Sequence, residues 1–95
     1  MTGKQRAKLR ALAHHQDPLI QVGKNGLGEG FFDQLEALLE DHELVKIAVL
    51  QNAPYEVGEI KEEVLERTGA EFVQAIGSKL TIYRRNQEEP RIDLE

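Results

Sequence analysis

Short apolar runs with the two-residue period of β-strands alternate along this chain with stretches in which apolar residues recur every three or four positions, as in helices. Glycine or proline lies between most of these segments. A chain of 95 residues is long enough to bury one core, so the segments are expected to pack into a single compact α/β domain. The predicted order is α-β-α-β-α-β-β.

The limits of the predicted elements follow from capping and turn residues. In chain order they are a helix capped by Thr2 that extends to about His15, a strand Leu19–Val22, a helix at about Glu29–Asp41, a strand Glu43–Leu50, a helix opened by Pro54 and ended by Gly69, and strands Glu71–Ile76 and Lys79–Arg84. Gly77 and Ser78 suit a two-residue hairpin with Gly77 at positive φ. The domain is expected to cover residues 1–86, with residues 87–95 as a polar, flexible tail.

Apolar spacing also predicts which side chains of the helices face the core. They are Leu9, Leu12 and Ala13 in the first helix, Phe31, Phe32, Leu35, Leu38 and Leu39 in the second, and Val57, Ile60, Val64 and Leu65 in the third. Lys4 and Lys8 then lie on one flank of the first stripe, and Arg6 and Arg10 on the other.

Charge is distributed unevenly along the chain. The formal net charge of −5 by itself argues against a nucleic-acid partner. Residues 1–26, however, contain five basic residues and one acid, and residues 73–87 contain three basic residues and no acid. Residues 27–72 contain twelve acids and three basic residues, and most of these acids form rows on the second and third helices. We therefore expect a basic surface that can meet phosphates and an acidic surface that restricts docking.

The turn Gly23-Lys24-Asn25-Gly26 connects the first strand to the second helix. Glycine has no Cβ and tolerates positive φ, so a loop between two glycines can bring its amides against a phosphate. Lys24 adds a positive charge at the tip. Connections that only turn the chain also contain paired glycines, so both interpretations of this turn stay open from its residues alone.

The residues that could support catalysis or metal binding are few. There is no cysteine, which suits the cytoplasm, and no apolar run reaches the roughly 20 residues of a membrane-spanning helix. His14 and His15 are adjacent on a helix and point in different directions, whereas zinc needs three or four converging ligands. Ser78 is the only serine and has no evident base. We expect no catalytic site, metal, cofactor or membrane partner, and a cytoplasmic monomer.

Four sequence blocks occur in order along the chain. They are Lys4-Gln5 with Leu12-Ala13-His14, then Val22-Gly23-Lys24-Asn25-Gly26-Leu27, then His42-Glu43-Leu44-Val45-Lys46, and finally Val73-Gln74-Ala75-Ile76-Gly77 with Tyr83-Arg84. In this combination the chain resembles the YhbY family of bacterial RNA-binding proteins, which are stand-alone CRM domains. The likeness spans about Thr2 to Arg85.

This resemblance implies a four-stranded mixed sheet packed with helices, similar to the C-terminal domain of translation initiation factor 3. It also implies RNA contact through the G-x-x-G loop and association with precursors of the large ribosomal subunit. The candidate RNA-binding residues are Gly23, Lys24, Asn25 and Gly26 in the loop, Lys4, Arg6, Lys8 and Arg10 in the first helix, and Arg84 and Arg85 after the last strand. One departure is Gly28, where members often carry Thr or Ser, so the second helix loses a side-chain cap.

Several assignments remain open. The expected partner is ribosomal RNA in a large-subunit precursor, with ribosomal proteins as further contacts. Tyr83 is either a sheet-packing residue or the best aromatic candidate for a base, and Arg84 and Arg85 are either RNA contacts or a solvated strand end. Lys46 has either a structural or salt-bridge role or a phosphate-binding role. The alternative function is a protein-interaction module that docks its acidic helices on a basic ribosomal protein.

Overall fold

The computed structural model describes residues 1–94. Its elements are α1 (Gly3–His14), β1 (Ile20–Val22), α2 (Glu29–His42), β2 (Leu44–Val49), α3 (Val57–Thr68), β3 (Glu71–Ile76) and β4 (Lys79–Tyr83). This order confirms the predicted α-β-α-β-α-β-β arrangement. Gly77 has a φ of 58°, as predicted for the hairpin between β3 and β4.

The four strands form one mixed sheet in the order β1-β2-β4-β3. β1 is parallel to β2, whereas β4 is antiparallel to both β2 and β3. The register pairs Val22 with Val49 and Ala48 with Lys79. The carboxyl ends of β1 and β2 therefore lie at the same end of the sheet as the β3–β4 hairpin, and we call this the loop end.

The helices cover the two faces of the sheet unequally. α2 and α3 bury one face, where Leu35 and Ile60 belong to the same apolar cluster as Val45, Ile47 and Ile82. α1 covers the other face only in part, because its buried residues, Leu9 and Ala13, pack against Leu44, Val73 and Tyr83. Leu44 begins β2 and Tyr83 ends β4, so α1 lies at the end of the sheet opposite the loop end.

The first helix begins as predicted, whereas the third does not. Thr2 Oγ1 accepts a hydrogen bond from Gln5 N, and the Gln5 side chain accepts one from Thr2 N, both at 3.0 Å. The expectation that Pro54 opens the third helix is wrong, because α3 begins at Val57. Glu59 Oε1 accepts from Glu56 N at 3.2 Å, which closes the first turn at Glu56.

The predicted apolar stripe of α1 is wrong at Leu12, which is 43% exposed. α1 packs on the sheet along the narrow line of Leu9 and Ala13, and Leu12 lies to one side of that line. On the other helices, Phe31, Leu38, Val57 and Leu65 are only partly buried and pack at the margin of the core.

Glu43 joins the strands to the C-terminal segment in a way that the sequence did not indicate. This residue is fully buried and has a φ of 63°, a conformation that favours glycine. Its carboxylate accepts hydrogen bonds from Asn86 N at 2.7 Å and from Arg91 N and Ile92 N at 2.8 Å. Residues 87–94 contain no helix or strand, and their flexibility stays a prediction.

Candidate functional site

The G-x-x-G segment forms a tight turn at the loop end of the sheet. Gly26 N donates to Gly23 O at 3.0 Å, and Lys24 and Asn25 stand exposed at the tip. Glycine is favoured at Gly26, where φ is 66° and a Cβ would lie 3.0 Å from Tyr55 Cε2. At Gly23 a Cβ would make only ordinary contacts. α2 follows this turn without a side-chain hydrogen bond at its N-cap, Gly28, which confirms the expected loss of that cap.

The β2–α3 loop lies directly beside this turn because β1 and β2 are parallel neighbours. Leu50 N donates to Val22 O at 2.9 Å and extends their pairing. Leu50 is 38% exposed and Tyr55 is 45% exposed, so the turn has a partly apolar border. Sequence reasoning did not identify Tyr55, because its position depends on a strand pairing that local patterns do not show.

The basic residues of α1 lie far from the turn and differ in their contacts. Arg6 is half-buried and its Nε donates to Phe72 O at 3.3 Å. Lys8 Nζ donates to Asp93 O in the C-terminal segment. Lys4 and Arg10 are exposed. Because β2 has six residues, about 20 Å of sheet separates α1 from the turn.

Two lysines occupy the uncovered part of the sheet between α1 and the turn. Lys46 shares a face with Leu44 and pairs with Thr81, and Lys79 pairs with Ala48. Lys79 is exposed and Lys46 is half-buried. Within residues 1–94, neither lysine has a carboxylate within 4.0 Å, and the same holds for Lys24. Lys46 therefore does not form the expected salt bridge with any residue in this part of the chain.

Arg84 and Arg85 have different surroundings. Arg84 Nη2 lies 2.6 Å from Glu36 Oε2 and 3.7 Å from Glu40 Oε1, and its Nη1 donates to Thr68 O at 2.8 Å. Arg84 thus ties β4 to α2 and α3, and RNA contact by this residue stays a prediction. Arg85 is exposed.

Tyr83 is 3% exposed and packs beneath α1, which agrees with the sheet-packing interpretation. This burial leaves no ring face for a base. It also raises the pKa of the Tyr83 hydroxyl above 10.0, and the nearby charge of Glu43 contributes to the same increase.

The acidic rows lie on α2 and α3, across the sheet from Lys46 and Lys79. Several of these carboxylates have cationic partners within the chain. Arg67 lies 3.4 Å from Glu29 and 3.9 Å from Glu63, and Arg84 pairs with Glu36 and Glu40. These pairs reduce the charge available to a basic protein partner, and nothing in the fold independently favours the protein-interaction alternative.

Residues 1–94 contain neither a candidate metal site nor a candidate membrane span. No group of three or more histidine or acidic side chains in this range could hold a metal ion. No helix in it combines the length and apolar character needed to cross a bilayer. His14 and His15 are both exposed, and their rings meet edge to face at 5.4 Å.

Comparison with known proteins matches the CRS1/YhbY (CRM) domain to residues 1–84, which include the G-x-x-G turn and every strand. The chain belongs to the CRS1/YhbY (CRM) domain family. This CRM domain is 36% identical over 94 residues to the probable RNA-binding protein YqeI of Bacillus subtilis, a match that covers 99% of the chain and 98% of the relative.

Two further relatives support the same assignment. A Haemophilus influenzae protein named RNA-binding protein is 38% identical over 89 residues, which cover 93% of this CRM domain and 89% of the relative. The solution structure of the hypothetical protein SAV1595 from Staphylococcus aureus, proposed to bind RNA, is 44% identical and superposes with a TM-score of 0.81. That match covers 100% of this chain and 99% of the other. The family match and these relatives give no indication of an enzyme.

Proposed function

We propose that this protein binds ribosomal RNA through the G-x-x-G turn and the basic side chains on the α1 face of the sheet, and that it assists assembly of the large ribosomal subunit in the cytoplasm. The family and the names of its relatives support RNA as the partner. The choice of ribosomal RNA rests on the resemblance to the YhbY family.

The segregation of charge across the sheet is the observation that carries this proposal. Lys46 and Lys79 lie on the uncovered face without ion pairs in residues 1–94, and Lys24 stands at its loop end. The acids of α2 and α3 lie on the opposite side. The phosphates of an RNA strand would be attracted to one face and repelled from the other, which fixes the orientation of docking.

The turn and the sheet have distinct roles in this proposal. Amides of the turn and the Lys24 ammonium group contact one or two phosphates. Lys46 and Lys79 hold the adjoining backbone, and Arg10 with Lys4 extends the contact onto α1. Phosphate contacts of this kind position the RNA but carry little sequence information. RNA shape would therefore contribute more to selection than a base-by-base code.

Cosedimentation with ribosomal particles tests the assembly role. We expect the protein to migrate with large-subunit precursors at low salt and to be released as salt is raised. Lys24→Gln should weaken this association. Lys61→Gln is the matched control, because it removes one positive charge from α3 on the opposite side of the sheet. Migration of the native protein away from all ribosomal particles at low salt would contradict the assembly role.

A further inference from the structure

A groove beside the G-x-x-G turn is lined by one aromatic, one aliphatic and two acidic side chains. It is formed by Leu27, Tyr55, Glu59 and Glu63 and has a volume of about 310 Å³. This volume reaches the lower end of the range for small-molecule sites, roughly 300 Å³, so a nucleobase fits inside it. The groove is continuous with the turn, because Tyr55 packs against Gly26.

Tyr55 is the aromatic side chain that could stack on a base. It is 45% exposed, whereas Tyr83 is 3% exposed and lies beneath α1. Gly26 lies against the edge of the Tyr55 ring, since a Cβ at Gly26 would approach Tyr55 Cε2 to 3.0 Å. A ring held in this way loses little freedom when a base stacks on it.

We propose that the groove binds one unpaired RNA base that carries an exocyclic amino group, stacked on Tyr55, while the adjoining phosphate contacts the G-x-x-G turn. This proposal rests on the proposed function and adds a base-contacting position to it. Cytosine fits better than uracil, which has the same size but presents a carbonyl oxygen where cytosine has an amino group.

The two glutamates of the groove give this preference. Glu59 uses Oε1 to accept from Glu56 N at 3.2 Å, and its second oxygen has no hydrogen bond within residues 1–94. Glu63 Oε1 lies 3.9 Å from Arg67 Nη1, which is longer than a hydrogen bond. Both carboxylates can accept from an amino group, whereas a carbonyl oxygen would face negative charge. The phosphate stays on the Lys24 side, away from these carboxylates.

Binding of single-stranded RNA octamers of cytidine tests the stacking contact. Tyr55→Leu keeps an apolar side chain against Gly26 but removes the aromatic face, and we expect about 10-fold weaker binding with an unchanged salt dependence. Tyr55→Phe keeps the ring and should bind within about 2-fold of the native protein. The chain has two tyrosines, so the ring protons of Tyr55 can be followed by NMR and should shift upfield on binding.

Comparison of cytidine and uridine octamers tests the amino-group preference. The native protein should bind the cytidine octamer about 5-fold more tightly. Glu63→Gln should reduce this ratio, because an amide can both donate and accept. Glu66→Gln, which removes the same charge on α3 outside the groove, should raise both affinities and leave their ratio unchanged.

The outcomes separate the two proposals. If Lys24→Gln weakens binding but Tyr55→Leu does not, and the Tyr55 ring protons do not shift, the base site is wrong and the phosphate site stands. If Lys24→Gln and Tyr55→Leu both bind as the native protein does, the assignment of the RNA surface to this end of the sheet fails as well. Equal affinity for the two octamers would overturn the amino-group preference.

Discussion

Replacing Glu43 should remove a large part of the protein's stability. The carboxylate is fully buried and accepts three backbone hydrogen bonds, from Asn86 N, Arg91 N and Ile92 N. A hydrogen bond to a charged group contributes roughly 1.5–3 kcal/mol. The C-terminal segment is at the surface, so in a variant water can replace some of the hydrogen bonds that its backbone amides lose. We expect Glu43→Ala to lower the free energy of unfolding by about 3 kcal/mol, a large share of the 5–15 kcal/mol typical of small domains.

Urea denaturation followed by circular dichroism measures this change. Glu43→Gly removes the same carboxylate but relieves the positive φ of 63°, so its loss should be smaller than that of Glu43→Ala by about 1 kcal/mol. Glu62→Ala, at a side chain that is 81% exposed, is the control and should change stability by less than about 0.5 kcal/mol. If Glu43→Ala unfolds at the same urea concentration as Glu62→Ala, the anchoring role of the carboxylate is refuted.

Three further predictions concern Arg84, Tyr83 and Gly26. Arg84→Ala should lower the free energy of unfolding by about 2 kcal/mol in urea melts, because it removes the ion pairs with α2 and the hydrogen bond to Thr68 O. The raised pKa of Tyr83 favours the neutral hydroxyl in the folded state, so its contribution is complete below about pH 10 and is lost as pH rises through the folded-state pKa. The free energy of unfolding should fall less between pH 8 and pH 11 for Tyr83→Phe than for the native protein. An equal fall in the two proteins would contradict this prediction. Gly26→Ala should lower the free energy of unfolding by about 1–2 kcal/mol, because Gly26 has a φ of 66° and an added Cβ would make a short contact with Tyr55. Gly58→Ala is the control: Gly58 has open space around it, so this change should raise the free energy of unfolding slightly.

Local features of the fold could be predicted from the sequence. Apolar spacing was sufficient to predict the order of the helices and strands. Thr2 was sufficient to predict the N-cap of the first helix, and Gly77 the hairpin between the last two strands. These features depend on residues a few positions apart, whose backbone preferences are largely intrinsic. The start of α3 was placed too early because proline at 54 suits a helix entry but instead packs against Gly26.

Features that depend on distant contacts could not be predicted. Glu43 looks like an ordinary charged residue beside a strand until Asn86, Arg91 and Ile92 are brought to it by the fold. The ion-pair partners of Arg84 lie on α2, more than forty residues away along the chain. Charge and aromatic content alone do not distinguish such structural groups from ligand contacts.

The candidate site shows the same division. The exposed tip of the G-x-x-G turn, with Lys24 and Asn25, agrees with its prediction from the sequence. The basic residues of the first helix and the turn were expected to form one basic surface, but α1 lies at the other end of the sheet, and Lys46 and Lys79 occupy the space between. An amphipathic stripe shows that a helix packs on the sheet, but it does not show at which end.

Binding of the native protein and of the double variant Lys24→Glu, Asn25→Asp to large-subunit ribosomal RNA, at several salt concentrations, tests the central claim most directly. Both substitutions lie at the exposed tip of the turn, so the variant should keep its fold, which circular dichroism can verify. We predict that the native protein binds with a marked salt dependence and that the folded variant loses most of this binding, with a slope reduced by roughly one phosphate contact or more. Equal affinity and equal salt dependence of the two proteins would contradict the assignment of the turn as the RNA-binding site.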